Sequence, residues 1–342
     1  MSGERGRKRL TNVFLVILPI LTAVVVLGVG RYYVSVGNTV KILLSGVMDI
    51  TPTWDDFSYL VVTQIRMPRV LLAICVGAAL SASGASFQGV FSNPLTSPDI
   101  LGVSSGAGFG AALGLLMMEN FLLIQSTSLL FGLLSIVLVF ILSMTKGRHS
   151  ALMLILAGIV VGQFFQALVS FIKYVADPET KLPTITFWLM GSLATASYRD
   201  LAICGVVVAA ASGLLLPLAW HINILSINEE EAETIGINVT RLRWLIITLA
   251  TLMTAVTVAA CGFIGWVGLV IPHVARMIVG ADYRRILPAS MSLGGTYLLI
   301  IDTVARTATA AEIPLSILTA VLGAPFFMYL LRKTKGGVIV DS

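Results

Sequence analysis

The 342 residues are 57% hydrophobic and only 11% charged, with a formal net charge of +5. Mean hydropathy is +0.96, and a water-soluble domain of this length could not cover so much apolar surface, so lipid is the solvent that the chain is built for. This excludes a sizeable soluble domain, and the Lys and Arg residues read as anchors at a membrane face in place of a nucleic-acid surface.

Lipid offers no hydrogen bonds to a backbone, so apolar runs of about 20 residues predict helices. The short alternating segments of a β-barrel are missing. In chain order the spans are expected at Val13–Val29, Val70–Phe87, Gly102–Met118, Phe121–Met144, Ala151–Ile172, Leu201–Trp220, Trp244–Ala260, Phe263–Val279, Ile286–Val304 and Ile313–Leu331. The fold class is therefore an all-α polytopic membrane protein with about ten transmembrane helices, forming one domain over residues 1–342. An even number of spans puts both termini on one side. The distribution of Lys and Arg between the two sets of connections makes that side the cytoplasm. The N-terminus begins basic (Arg5, Arg7, Lys8, Arg9) and runs on into apolar sequence with no convincing small-residue cleavage site, which reads as a retained first helix.

The outer segment Arg31–Gln64 mixes Tyr, Val and Trp with polar residues and predicts short helices at the interface. Arg66 and Arg69 begin the second span and Arg306 closes the ninth, all on the outer side. Such cations either snorkel towards headgroups or form a face for an acidic partner. Pro94 and Pro98 enforce a defined turn between the second and third spans. Gly102 and Gly106, and Gly158 and Gly162, stand four apart, a spacing that lets helix backbones approach closely. Gln163, Gln166 and Ser170 form a polar stripe on the fifth span, suited to a pathway or to interhelical hydrogen bonds. Ile185–Ala196 is too short to span and predicts a re-entrant or surface helix.

The inner loop His221–Arg243 is the most polar piece of the chain. Its acids Glu229, Glu230, Glu231 and Glu233 and the breaker Gly236 predict a short helix over Asn228–Ile235, capped by Ser226 or Asn228. It is a natural docking element, or else a solvated loop. Pro272 should kink or interrupt the eighth span. Asp302 lies four residues before Arg306, a helical pair that reads as structural in preference to a proton relay. Cys75, Cys204 and Cys261 read as small buried side chains.

The chemistry the sequence lacks is as informative. No Gly-x-x-x-x-Gly-Lys-[Ser/Thr] occurs, and the dipeptide Gly-Lys is absent, so no P-loop cradles ATP. No His-Glu-x-x-His occurs, and His149, His221 and His273 lack ligand spacing. The expectation is a protein that is not an enzyme, with no metal and no cofactor.

Three stretches carry a closer likeness. Arg66-Met67-Pro68-Arg69 is followed by Gly77, Gly84, Gln88, Asn93-Pro94-Leu95 and Leu101-Gly102-Val103-Ser104-Ser105-Gly106-Ala107. Then come Gly268-Leu269 with Pro272-His273, Arg276, Gly280 and Asp282, and finally Asp302, Arg306, Glu312, Pro314, Gly323 and Pro325. In order and spacing these resemble the FecCD-type permeases, the membrane subunits of type II ATP-binding-cassette importers for iron-siderophores, haem and cobalamin. The resemblance implies an inverted-repeat bundle working as a dimer of permease subunits, either identical copies or a pair, with the substrate path along the dimer axis. It implies a prokaryotic cytoplasmic membrane, an extracytoplasmic substrate-binding protein outside and two ATPase subunits inside. Arg66, Arg69 and Arg306 match positions that meet acidic residues of the binding protein. Glu231, Ala232, Glu233, Ile235 and Gly236 match the coupling helix that enters a cleft in the ATPase. Cargo stays open among siderophore, haem, cobalamin and oxyanions such as molybdate. The alternative, an ion-coupled secondary transporter, calls for carboxylates near span centres, where this chain has almost none.

Overall fold

The computed structural model describes residues 2–118, 120–145, 148–149, 151–226 and 238–334. The helices are α1 (Ser2–Gly28), α2 (Val36–Ser45), α3 (Asp56–Leu60), α4 (Met67–Val90), α5 (Val103–Met117), α6 (Phe121–Ser143), α7 (Ala151–Val175), α8 (Lys181–Leu189), α9 (Tyr198–Leu215), α10 (Ala219–Leu225), α11 (Val239–Cys261), α12 (Val267–Val279), α13 (Tyr283–Thr307) and α14 (Leu315–Thr334). Two-residue strands, Met144–Thr145 and Arg148–His149, pair antiparallel after α6. Nine of the ten apolar stretches each fall mainly on one helix, while Leu201–Trp220 is divided between α9 and α10 by a turn at 216–218. Among the described residues six stretches are long and apolar enough to cross a bilayer: Asp56–Val90, Leu122–Ser143, Leu152–Val175, Tyr198–Leu215, Val239–Cys261 and Tyr283–Thr307. Val13–Gly28, Val103–Met117, Val267–Val279 and Leu315–Tyr329 are shorter apolar helices.

The centre of the bundle is α4, buried almost without interruption from Pro68 to Val90. A helix apolar all round belongs inside. It packs against α13, α11, α12 and α9. Glycines set how closely. A Cβ on Gly77 would lie 2.7 Å from the Gly294 carbonyl carbon, and one on Gly84 would lie 2.6 Å from Gly268 Cα. On α5, Gly106, Gly110 and Gly114 repeat every fourth residue and sit against α6 at Phe131, Thr127 and Ile124. The Gly102 and Gly158–Gly162 spacing brings the start of α5 onto α7, with a Gly102 Cβ position 2.9 Å from Gly162 N. Without a hydrophobic force between helices in lipid, this close packing supplies much of the cohesion.

Three local features differ from the sequence expectation. The second span is the end of a longer helix, because α3 runs through a π-helical turn, Val61–Arg66, straight into α4. Pro68 has no N–H to close the usual bond, and the backbone widens just ahead of it, with Met67 N–H reaching back to Val62 O. The eighth span is not interrupted at Pro272, which α12 accommodates, and its helix begins at Val267, four residues after the expected Phe263. The connection from α11 turns at Gly262 (φ 75°) and Trp266 (φ 71°), and the left-handed Trp266 seats its ring against Gly323 of α14. Finally, α8 covers only the first half of Ile185–Ala196. The chain then turns at left-handed Gly191, whose carbonyl accepts from Leu315 N at 3.0 Å, while Ser192 N donates to Cys261 O at 2.8 Å. That short stretch ties α11 to α14. The outer segment does carry short helices, α2 and α3.

Candidate functional site

Two polar clusters occupy opposite ends of the bundle, because α4 and α13 run antiparallel. At one end, called here the arginine end, the first and third motif stretches meet. Arg69, in the first turn of α4, is only 11% exposed at its side chain. Its Nε donates to Asp302 Oδ1 and Oδ2 at 3.1 and 3.0 Å, and its Nη2 donates to Asp302 Oδ1 at 2.8 Å. The opposite edge of the same guanidinium donates to Glu312, Nη1 to Oε1 and Nη2 to Oε2, both at 2.9 Å. Planar guanidinium and carboxylate match in this two-point manner, which makes such pairs strong and directional. Asp302 is wholly buried on α13, and Arg306 Nε lies 3.9 Å from it. The helical Asp302–Arg306 pair read from the sequence therefore exists, but Arg69 is Asp302's closer partner. Arg69's hydrogen bonds hold the Glu312 carboxyl below the usual carboxylate range.

Arg66 and Arg306 are buried too, and they do not snorkel. Arg66 Nη1 donates to Leu27 O at 2.8 Å and Nη2 to Tyr32 O; Arg306 Nη2 donates to Val26 O at 2.9 Å. Carbonyls in the last turn of a helix have no partner within it, and they attract cations. The two arginines thus cap α1. Both lie so close to Gly30 that a Cβ there would meet their guanidiniums. The structure brings Arg66, Arg69 and Arg306 together as the sequence implied. The exposed cation beside them is Arg31, which donates to Thr309 O at 3.1 Å and to Ala310 O.

At the other end the second motif stretch joins the first. Gln88 Nε2 donates to Leu269 O at 3.2 Å, and Arg276 Nη2 donates to Tyr283 Oη at 3.0 Å and to Gln88 Oε1 at 3.4 Å. Asp282 caps α13, and the hydrogen bond from Arg284 keeps its carboxyl far below the usual range. Asn223 of α10 donates to Asp282 Oδ1 at 2.7 Å and accepts from Tyr283 N at 2.8 Å. Asn223 was not among the residues singled out from the sequence, and nothing local signals it. It lies just ahead of Glu231, Ala232, Glu233, Ile235 and Gly236, which fall outside the described residues.

Between the clusters a groove opens on the side of α5 and α7. One chamber of about 480 Å³ is lined by residues including Asn93, Thr96, Asp99, Ser105, Gln163 and Gln166. A second of about 300 Å³ shares Ser105 and Gln166 and continues to Lys173 and Phe263. Gln163 and Gln166 thus stand in the groove. Ser170 does not line either chamber; its hydroxyl turns back onto Gln166 O at 3.0 Å. Asp99 is the lining residue that sequence reasoning passed over. It accepts from Ser104 Oγ at 2.6 Å, yet burial pushes its carboxyl up to about 6. Cys75 and Cys204 also meet, with their sulfurs 3.9 Å apart.

These clusters join residues of all three motif stretches, and comparison with known proteins settles what the motifs mean. Residues 16–333 match the FecCD transport family. The chain belongs to that family. It is 45% identical over 325 residues to the molybdate import system permease protein MolB of Haemophilus influenzae, covering 94% of this chain and 95% of that one. It is 39% identical to the cobalamin import system permease protein BtuC of Halobacterium salinarum, over 82% of this chain and 75% of that one. A solved inward-facing metal-chelate type ABC transporter superposes with a TM-score of 0.84 at 44% identity, covering 93% of this chain and 97% of that chain. The FecCD-type chain described here is therefore a multi-pass permease subunit of an ATP-binding-cassette importer, and the ion-coupled alternative is not favoured.

Proposed function

We propose that this permease pairs with a second copy of itself in a prokaryotic cytoplasmic membrane and moves a metal-containing anion or metal chelate inward. The observation that carries the reading is the groove between α5 and α7. It is open on the face of α7, where Ile159, Val160, Phe164 and Phe171 are also exposed. A second subunit laid on that apolar strip closes the groove into a path, and half a path is what one subunit offers. The first chamber mixes amides, hydroxyls and one carboxyl with apolar residues such as Leu95, Ile100 and Ile155, and it has no Lys or Arg. Such a mixed lining offers few fixed charges to hold a large polar ligand, which suits passage.

In this reading the arginine end faces outwards and docks an acidic substrate-binding protein: exposed Arg31 and the outward edge of Arg69 meet it, and the buried Arg66 and Arg306 add their charge from behind. Complementary charge of this kind chiefly sets encounter rate and register. Both termini and the loop at about 221–243 face the cytoplasm. There Glu231, Ala232, Glu233, Ile235 and Gly236 contact the ATPase subunits, and Gln163, Gln166 and Ser170 belong to the pathway face. Ser170 shapes that face through its bond to Gln166. The relatives span both kinds of cargo: one is named for molybdate, others for cobalamin and iron chelates.

Reconstitution with the cognate binding protein and ATPase, in vesicles supplied with labelled molybdate or a labelled ferric chelate, tests this. Uptake should require ATP and ignore ionophores that dissipate Na⁺ and H⁺ gradients. Uptake that continues without ATP and collapses with an ion gradient refutes it.

A further inference from the structure

Arg69 presents two edges, and they are held very differently. The inner edge is fixed by Asp302, which is 0% exposed, sits on a membrane helix and has Arg306 beside it. The outer edge is filled by Glu312, which is 33% exposed and belongs to the connection between α13 and α14. Among the described residues Glu312 accepts hydrogen bonds from Arg69 alone. The connection is exposed from Thr307 to Glu312 and is held to the rest of this end by Arg31 at Thr309 and Ala310. Immediately around Arg69, four guanidiniums, Arg31, Arg66, Arg69 and Arg306, stand with Asp302 and Glu312, a local positive surplus even with Glu312 in place; Asp55, beyond Tyr32, is engaged by Tyr32 and Ser58.

We infer that Glu312 is a placeholder for a carboxylate of the docking partner: it occupies the outward fork of Arg69 and yields it to an acidic side chain of the substrate-binding protein. This rests on the docking role proposed above. The physical logic is exchange. A guanidinium stripped of its partner in a half-buried site is costly, and so is desolvating a new one. Replacing one bidentate carboxylate by another leaves the number of charge-assisted bonds unchanged, while Glu312 regains water. Asp302 keeps the guanidinium aimed throughout. Docking and release then differ little in energy at this point. This suits a partner that must leave after each delivery.

The test uses the permease–ATPase complex in lipid nanodiscs and the purified cognate binding protein, with affinity read by surface plasmon resonance. Glu312→Gln removes the competing charge and should tighten docking by roughly tenfold, mostly through slower dissociation. Glu312→Asp, which keeps the charge but shortens its reach, should give a smaller gain. It also serves if the Gln variant does not assemble. Arg69→Gln should weaken docking. If Arg69→Gln weakens docking while both Glu312 variants leave it unchanged or weaker, Glu312 is a structural brace and the placeholder idea is overturned. If the Arg69 variant docks as well as the unaltered protein, the docking reading itself falls.

Discussion

Gly84→Ala is a single added methyl with nowhere to go. A Cβ at that position stands 2.5 Å from the Gly268 carbonyl carbon and 2.6 Å from its Cα, with the carbonyl oxygen nearer still. Ordinary contact begins at 3.4 Å, and every atom involved is backbone, so no side-chain rotation relieves the clash. Helices α4 and α12 must part by about 1.6 Å to bring the nearest contact, with the Gly268 oxygen, out to 3.4 Å. Overpacking of this sort costs typically 1–3 kcal/mol. One turn further on, the Gln88 bond to Leu269 O stretches with it, adding about 1 kcal/mol. A loss of about 2–4 kcal/mol is expected, read as lowered stability to chemical denaturant in detergent or nanodiscs. Gly213→Ala on α9 is the matched control. Nothing lies within 4 Å of its Cβ position, so helix propensity should leave it neutral or up to about 1 kcal/mol more stable. Equal stability of the two variants would refute the close approach of α4 and α12.

Two further outcomes follow from the polar groups. Asp99 titrates near 6 in the folded protein against 3.8 for the free side chain, so the folded state holds an extra proton between those values. Its contribution to stability is therefore lost as pH rises from about 4 to 7, by at most about 3 kcal/mol. Asp99→Asn should flatten that slope, and a variant whose melting temperature tracks the unaltered protein across this range would refute it. Asn223→Ala cuts the link between α10 and the start of α13. ATP hydrolysis by the reconstituted importer should persist while cargo moved per ATP falls severalfold; an unchanged ratio would show that α10 transmits through other contacts.

Hydropathy located the six helices that are long and apolar enough to cross a bilayer, and the four shorter apolar ones, because lipid demands apolar runs with satisfied backbones. What it missed lies in relations between distant segments. The local i,i+4 rule paired Asp302 with Arg306, while its closest partner, Arg69, is 233 residues away. Snorkelling is the ordinary fate of an arginine at a span end. Arg66 and Arg306 turn inwards because carbonyls in the last turn of α1 accept from them there, and no reading of their own neighbourhoods reveals that. The expected interruption at Pro272 does not occur, because α12 accommodates that proline. The helix instead starts late, after Gly262 and Trp266, whose left-handed backbones answer to the packing of Gly191 and Gly323. Of the pathway stripe, Gln163 and Gln166 reached the groove, since residues three apart share a helix face. Asp99 went unremarked because a carboxyl in a turn looks solvated until its surroundings are known.

The capping of α1 has a consequence for how the protein is made. The side-chain donors to the last turn of α1, at Val26 and Leu27, come from segments that follow it in the chain. Arg66 arrives soon after, but Arg306 is synthesised 280 residues behind Val26. The cap on α1 is therefore finished only once α13 has been made and packed beside it.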